Sequence, residues 1–419
     1  MNPNRIIRKP PPKTVAEAVW RTGMVVGGET FVRVVVPIFE RAGMSVEGIS
    51  IPPISRTQLH HRINAQDSQD AAQGKLLVKK GLSPEVIYDS DEFKYVFTNG
   101  PNFWRREICE SVLTTGKHVL TYPLPSEADT KELLHHWSHP MFSDLLCLVQ
   151  NDLRFYPGVR RLMELVSREK VCGEPTEVNF EMAFGPPLFT MSPPIEHEIA
   201  QYSWWHRRQQ GGGALGIAGT EAHDTIRFLT GGRSDVTQVR AVLESNGNPG
   251  GKIMDQRGDL REIDAGDTCR LDAVLNDGRA FASIELDWGH PIAEIGDSFK
   301  PTPSSCHISA TSASGEQHIH LDILSGEIKI NGVPDLYVVS EDLFWEDSAV
   351  IAAAVNGAEQ HAMAYTATIE AIVAAASADD VTENGGGFMT LHHSIEAARF
   401  IAAAYASWDN SKGQDYVDV

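Results

Sequence analysis

The sequence is poor in cysteine, poor in positive charge and without any long apolar run. Its five cysteines, Cys109, Cys147, Cys172, Cys269 and Cys306, are odd in number and far apart. That excludes a disulfide framework and a CxxC metal site and leaves reduced, buried thiols as the expectation. Lysine and arginine number 36 against 56 acidic residues, a formal charge of −20. A field of that sign repels nucleic acid and anionic membrane surfaces, so neither is expected as a partner. A small substrate, which feels only its pocket, remains open. The apolar stretches at 351–354 and 372–376 are too short to cross a bilayer. At the N-terminus Arg5, Arg8 and Lys9 precede Pro10-Pro11-Pro12 with no apolar segment behind them. No secretory leader is expected, and the cytoplasm is the expected location. Histidine is plentiful, and His135, His136 and His139 have helical spacing while His318 and His320 share a strand face. No acidic or cysteine partner sits at matching spacing, so no metal is expected.

With 419 residues, 42% of them hydrophobic, the chain is too long for one simple core, and two domains are expected. Residues 1–20 read as a polar, proline-rich lead-in without order. From Gly23 a short buried strand runs into the turn Gly27-Gly28, followed by a helix at 30–42 and a strand at 44–51, the size of a βαβ unit. An enlarged polar loop at 52–69 precedes a helix at 70–80 and a short strand at 85–87. A strand at 95–98 ends at Asn99-Gly100-Pro101-Asn102, and a helix at 107–115 leads to a strand at 117–120. This alternation calls for a doubly wound parallel sheet. After residue 175 the period becomes two, with Val178, Phe180, Met182 and Phe184 on one face. Strands at 268–275 and 279–288 flank the hairpin signal Asn276-Asp277-Gly278, and others at 318–323 and 327–330 flank Ser325-Gly326. The stretch 306–310 resists phasing, and helices at 362–376 and 390–404 follow. The expectation is therefore an α/β chain: a Rossmann-type parallel sheet in 21–150, then an α/β domain in 151–419 built on a large, mostly antiparallel open sheet.

Three segments add a resemblance. Thr115-Gly116-Lys117-His118-Val119-Leu120-Thr121-Tyr122-Pro123 resembles the "aGKHVlxEKP" signature of the Gfo/Idh/MocA oxidoreductases, the glucose–fructose oxidoreductase and inositol dehydrogenase family. Arg154-Phe155-Tyr156-Pro157, followed by Gly173-Glu174, resembles that family's passage into its second domain. Gly211-Gly212-Gly213-Ala214-Leu215, continuing through Gly219 and Asp224 to Gly231, resembles its "GGGaLxDxGxHxxD" segment. Each motif alone is weak; their order and separations are not coincidence. The resemblance implies NAD or NADP as cofactor, a substrate held between the domains over the nicotinamide, and a homo-oligomer formed through the open sheet.

The functional positions depart from that pattern. The lysine of "EKP" is Tyr122, which is either a proton donor needing a nearby cation to act as a base, or a packed aromatic. The aspartate and histidine of "DxGxH" fall on Ile217 and Glu221. His223 stands two residues on, where a helix turns it to a different face, so only one of Glu221 and His223 is expected to look into the cleft. The glycine fingerprint is worn to Gly27 and Gly28, with Asn99, Pro101, Asn102 and Pro123 as further candidate cofactor contacts. Arg105 replaces a histidine that the pattern places beneath the nicotinamide. No acid ends the second strand. Arg56, His60, His61 and Arg62 follow it, either a solvated loop or partners for a 2′-phosphate, which leans the expectation to NADP. Arg154, Asp224 and the aromatic Trp204 and Trp205 are candidate substrate contacts, a wall suited to a flat, aromatic or anionic molecule. Asp224 also has a packing role as its alternative. Three functions compete: an oxidoreductase acting on a small carbonyl or alcohol through an atypical proton relay, a cofactor-independent lyase, hydratase, isomerase or cyclase, and a non-catalytic ligand sensor.

Overall fold

The computed structural model describes residues 7–9, 20–26, 44–50, 87, 89–91, 93–99, 102–142, 144–184, 207–230, 235–244, 252–254, 259–266, 268–287, 303–323, 325–335, 338–340 and 389–419. The expected helices at 30–42, 70–80 and 362–376 lie outside the described residues, as do Gly27, Gly28, Pro101, Trp204, Trp205 and the basic loop.

The lead-in, expected to lack order, supplies a strand, β1 (Ile7–Lys9). The first sheet follows with β2 (Trp20–Val26), β3 (Met44–Ser50), β4 (Tyr95–Asn99), β5 (His118–Thr121) and β6 (Cys147–Val149). Its order is β3-β2-β4-β5-β6 and every neighbouring pair is parallel. Val96, Phe97, Val119, Leu120, Leu148 and Val149 are buried, the continuous apolar reading of strands covered on both sides. Ile87, expected to end a strand, is helical instead.

Helix α1 (Asn102–Thr114) begins five residues before the expected start and ends at Gly116. There φ is +76° and the glycine N–H reaches Leu113 O at 2.9 Å. Thus the glycine of the GKH motif stops a helix. Its histidine has a structural task too: His118 Nδ1 accepts the Leu146 N–H at 3.0 Å while the ring stacks on Tyr95. Helix α2 (Glu127–Trp137) was not anticipated, although Ser126 caps it by accepting the Asp129 N–H and acids fill its first turn. It carries His135 and His136, whereas His139 lies past its end.

The second sheet has nine strands: β7 (Pro175–Phe184), β8 (Val236–Glu244), β11 (Thr268–Leu275), β12 (Ala280–Asp287), β13 (Pro303–Ser312), β14 (His318–Asp322), β15 (Glu327–Ile330), β16 (Val333–Asp335) and β18 (Val417–Asp418). A small ribbon of β9 (Lys252–Met254) and β10 (Leu260–Glu262) stands apart, and β17 (Val338–Ser340) pairs in parallel with β1. The large sheet runs β16-β15-β14-β13-β7-β12-β11-β8-β18, antiparallel except for β7 beside β12. The unphased stretch 306–310 is the middle of β13, with Ile308 opposite Phe180. Val178, Phe180, Met182, Ala282, Ile284 and Leu286 point inward, while Glu177, Glu181, Ser283 and Glu285 alternate outward.

Helices α3 (Pro157–Met163), α4 (Gly213–Leu229) and α5 (Leu391–Ser411) pack on the inner face. Helix α5 also closes the first sheet. Met389, just before it, donates to Val149 O, and Leu391 and Ala397 join the first core, whereas Phe400, Ile401 and Ala404 join the second. Arg399 Nε pairs with Glu127 of α2 at 2.7 Å. Among the described residues no helix is long and apolar enough to cross a membrane.

Candidate active site

The strand order of the first sheet reverses between β2 and β4, and their carboxyl ends open the crevice where such sheets bind ligands. Strand β4 ends at Asn99 and α1 opens at Asn102. Next to them β5 ends at Thr121 and leads into Tyr122 and Pro123. After β6, the Gln150 N–H continues the ladder to Thr121 O at 2.7 Å. Asn99, Asn102, Tyr122 and Pro123 therefore stand on adjacent strand ends.

Tyr122 is buried, its ring edge-on to Phe97 at 6.0 Å between centroids. Arg105, in the first turn of α1, reaches back to it. Its Nη1 donates to Pro123 O, and its guanidinium carbon lies 5.9 Å from the Tyr122 ring centroid. Burial pulls the Arg105 guanidinium down to about 10, opposed by the ionised forms of Cys109 and Tyr122, and it is a cation at neutral pH. Cys109, one turn along α1, is pushed up to about 12 by burial and stays a neutral thiol. Arg105 was legible in the sequence only as a lost histidine. Its signal was that two departures from the pattern, Tyr122 and Arg105, would meet across one strand end.

The triple glycine that opens α4 serves close packing. Gly213 has φ +78°, and a Cβ there would sit 2.8 Å from the Ala265 Cβ. Ala214 N–H then bonds Gly266 O at 3.0 Å. Along α4 the stripe Ile217, Glu221, Asp224 and Phe228 follows helical spacing. Asp224 is fully buried and accepts Arg154 Nε and Asn151 Nδ2, both at 2.6 Å, with Arg154 Nη2 on its other oxygen. The Arg154 guanidinium lies 5.3 Å from the Phe228 ring centroid. Arg154 and Asp224, both read as substrate contacts, are thus bound to each other. They tie the turn after β6 to α4. Asn151, which the sequence reading passed over, completes this junction and also caps Leu153 N–H.

Helix α4 turns Glu221 and His223 to different sides. Glu221 is buried on the Asp224 stripe, and after burial its carboxylate is the first charge that holds the Cys306 thiol of β13 above its ordinary range. His223 faces α5, its ring 5.1 Å from that of Phe400. Its Nδ1 is buried with no hydrogen-bond partner among the described residues. Burial, with Arg227 and His393 adding to it and Asp224 opposing, holds His223 down to about 4. Between the two, Glu221 shares the stripe that meets the turn after β6.

A dinucleotide suits the described strand ends. The parallel sheet presents its switch point between the carboxyl ends of β2 and β4, where β4 ends at Asn99 and α1 opens at Asn102. Among the described residues no group of three histidine, cysteine or acidic side chains is placed to hold a metal.

No family model matches the chain. It is 24% identical over 267 residues to the glucose-fructose oxidoreductase domain-containing protein 1 of Mus musculus, a match spanning 64% of this chain and 60% of that relative. In structure it superposes on an oxidoreductase domain protein from Kribbella flavida with a TM-score of 0.65 at 14% identity, covering 96% of this chain and 99% of that one. Levoglucosan dehydrogenase in complex with NADH and levoglucosan gives a TM-score of 0.65 at 14% identity, over 96% of this chain and 99% of that one. The resemblance carried by the three motifs thus extends to the whole architecture, and the chain has the two-domain fold of the Gfo/Idh/MocA-type NAD-binding oxidoreductases.

Proposed function

We propose that this chain is a nicotinamide-dependent oxidoreductase that interconverts a small carbonyl compound and its alcohol through a proton relay based on Tyr122. The observation that carries the reading is the placement of Tyr122 and Pro123 at the end of β5, next to β4, whose end at Asn99 borders the switch point of a parallel sheet. Gly27, Gly28, Asn99, Pro101, Asn102 and Pro123 are the residues that would hold the dinucleotide, which supplies or accepts the hydride when bound. The cofactor of this reading is NAD. The levoglucosan dehydrogenase of the same fold is complexed with NADH, and the expectation of NADP rested on the missing acid after the second strand and on the basic loop, both outside the described residues.

In the reducing direction the Tyr122 O–H bond breaks and its proton goes to the carbonyl oxygen as the carbonyl carbon takes the hydride. The phenolate that remains recovers a proton from solvent, with Glu221 as the buried carboxylate that passes it on. Asp224 and Arg154 hold α4 in place for Glu221, and Trp204 and Trp205, outside the described residues, are the residues that would meet an aromatic or anionic substrate. The outer face of the nine-stranded sheet is the surface through which copies of the chain associate. Titrating nucleotide-stripped protein with NADH and NADPH, followed by nicotinamide fluorescence, checks the reading. Micromolar binding of NADH, tighter than NADPH, is expected. Absence of binding by either at millimolar concentration overturns it and turns the search to cofactor-independent chemistry.

A further inference from the structure

We infer that Arg105 is a positioning residue for the proton chemistry of Tyr122, clamping the turn through the Pro123 carbonyl and standing as the cation beside the ring on which negative charge develops. The inference rests on the reading of Tyr122 as the proton donor. Its geometry stands by itself: Arg105 is buried, Nη1 donates to Pro123 O, and the guanidinium carbon is 5.9 Å from the ring centroid.

A guanidinium at that distance already interacts with a neutral aromatic ring. When Tyr122 gives its proton to the substrate oxygen, the electron pair of the O–H bond stays on the phenolate and spreads into the ring. The nearby cation then meets a full negative charge in a site of low dielectric, where the attraction is far stronger than in water. The coupling is mutual: charge on Tyr122 favours the protonated Arg105, so the Arg105 cation favours ionised Tyr122. Cys109, the other titratable group that α1 brings to this place, is a neutral thiol and does not compete. Holding the Pro123 carbonyl fixes the cation relative to the ring before the reaction begins. Where the family pattern places a lysine on the strand end and a histidine on the helix, this chain has the acid on the strand end and the cation on the helix.

The test reads the ionisation of Tyr122 directly, without turnover. The chain has nine tyrosines, so the alkaline phenolate absorbance of the Tyr122→Phe variant is subtracted from that of the wild type. Repeating the subtraction in an Arg105→Gln background is expected to move the Tyr122 midpoint upward by about one pH unit or more, a tenfold loss of acidity. Should Arg105→Gln fail to fold, Arg105→His serves instead. It keeps a planar donor, is neutral at alkaline pH, and is expected to give the same upward movement. An unmoved midpoint in the folded neutral variant overturns the inference while leaving Tyr122 as donor. Full turnover by Tyr122→Phe, in contrast, removes the reading on which the inference rests.

Discussion

Arg154 and Arg105 are both arginines with only 6% of their surface exposed. Arg154 forks onto the Asp224 carboxylate, which Asn151 also holds, and its flat face covers Phe228. Arg105 hydrogen-bonds a main-chain carbonyl and lies near a phenol ring. The first arrangement is complete as it stands: charge meets charge, and two segments 70 residues apart are joined. The second lies beside titratable groups, Tyr122 among them, whose charge can change. A buried cation next to a fixed anion makes a joint, whereas a buried cation next to a group that can lose a proton biases a reaction.

The largest effect separates the two directly. Removing one half of the joint strands a buried charge, so Asp224→Ala and Arg154→Ala are each expected to cost about 3–5 kcal/mol in urea unfolding. Because the two residues form one unit, the double variant should cost much less than the sum of the singles. Additive losses would mean that the pair is not the joint described here. A second effect, about 3 kcal/mol, concerns pH and lies on the other side of α4. Folding holds His223 at about 4, below the ordinary 6.5. The folded state thus favours the neutral ring, and its stability is full above pH 6.5 and falls as pH drops toward 4. His118 and His320, also held low by burial, act in the same direction. In a series of denaturation curves between pH 7 and pH 4, His223→Leu is expected to flatten much of this slope. A wild-type slope in that variant would show that another group carries the proton uptake.

The joint and the pocket were unequally legible. Strand periods and the hairpin at Asn276-Asp277-Gly278 could be read because each follows from local chemistry: alternation on a sheet face and a tight turn. Helix α2 was missed although Ser126, Glu127 and Asp129 announce its start, because its apolar stripe is narrow, with only Thr130 and Leu133 buried. The stretch 306–310 did not phase because its inward positions, Cys306, Ile308 and Ala310, include only one large apolar side chain, so the contrast with His307 and Ser309 is weak. The Arg154–Asp224 contact joins residues far apart in the chain, and nothing local in either segment names its partner. The reasoning that Glu221 and His223 must face different ways needed only helical geometry. That His223 is the one turned to α5 depended on where α5 packs, a tertiary fact.

The pocket yields smaller but sharper effects on rate. Tyr122→Phe deletes one hydroxyl from a packed ring, so it should leave stability within about 1 kcal/mol of wild type and still lower turnover by more than roughly tenfold. Near-wild-type turnover would return Tyr122 to the role of a packed aromatic.

The smallest effect is expected from the pair on α4, and it tests whether helix geometry has been turned into function correctly. Glu221→Gln keeps the shape of a buried side chain and removes its ability to exchange a proton, so a loss of a few-fold in turnover is expected with little change in unfolding. His223→Ala opens a space against Phe400, so it is expected to lower stability by about 1–3 kcal/mol and leave the turnover of the folded fraction unchanged. Measuring both variants at the same pH, by steady-state rate and by denaturant midpoint, gives a crossed pattern if Glu221 is the relay and His223 is packing. The reverse pattern, rate lost at His223 and kept at Glu221, would move the relay to the α4–α5 side of the helix. It would also show that the stripe shared with Asp224 is part of the joint alone.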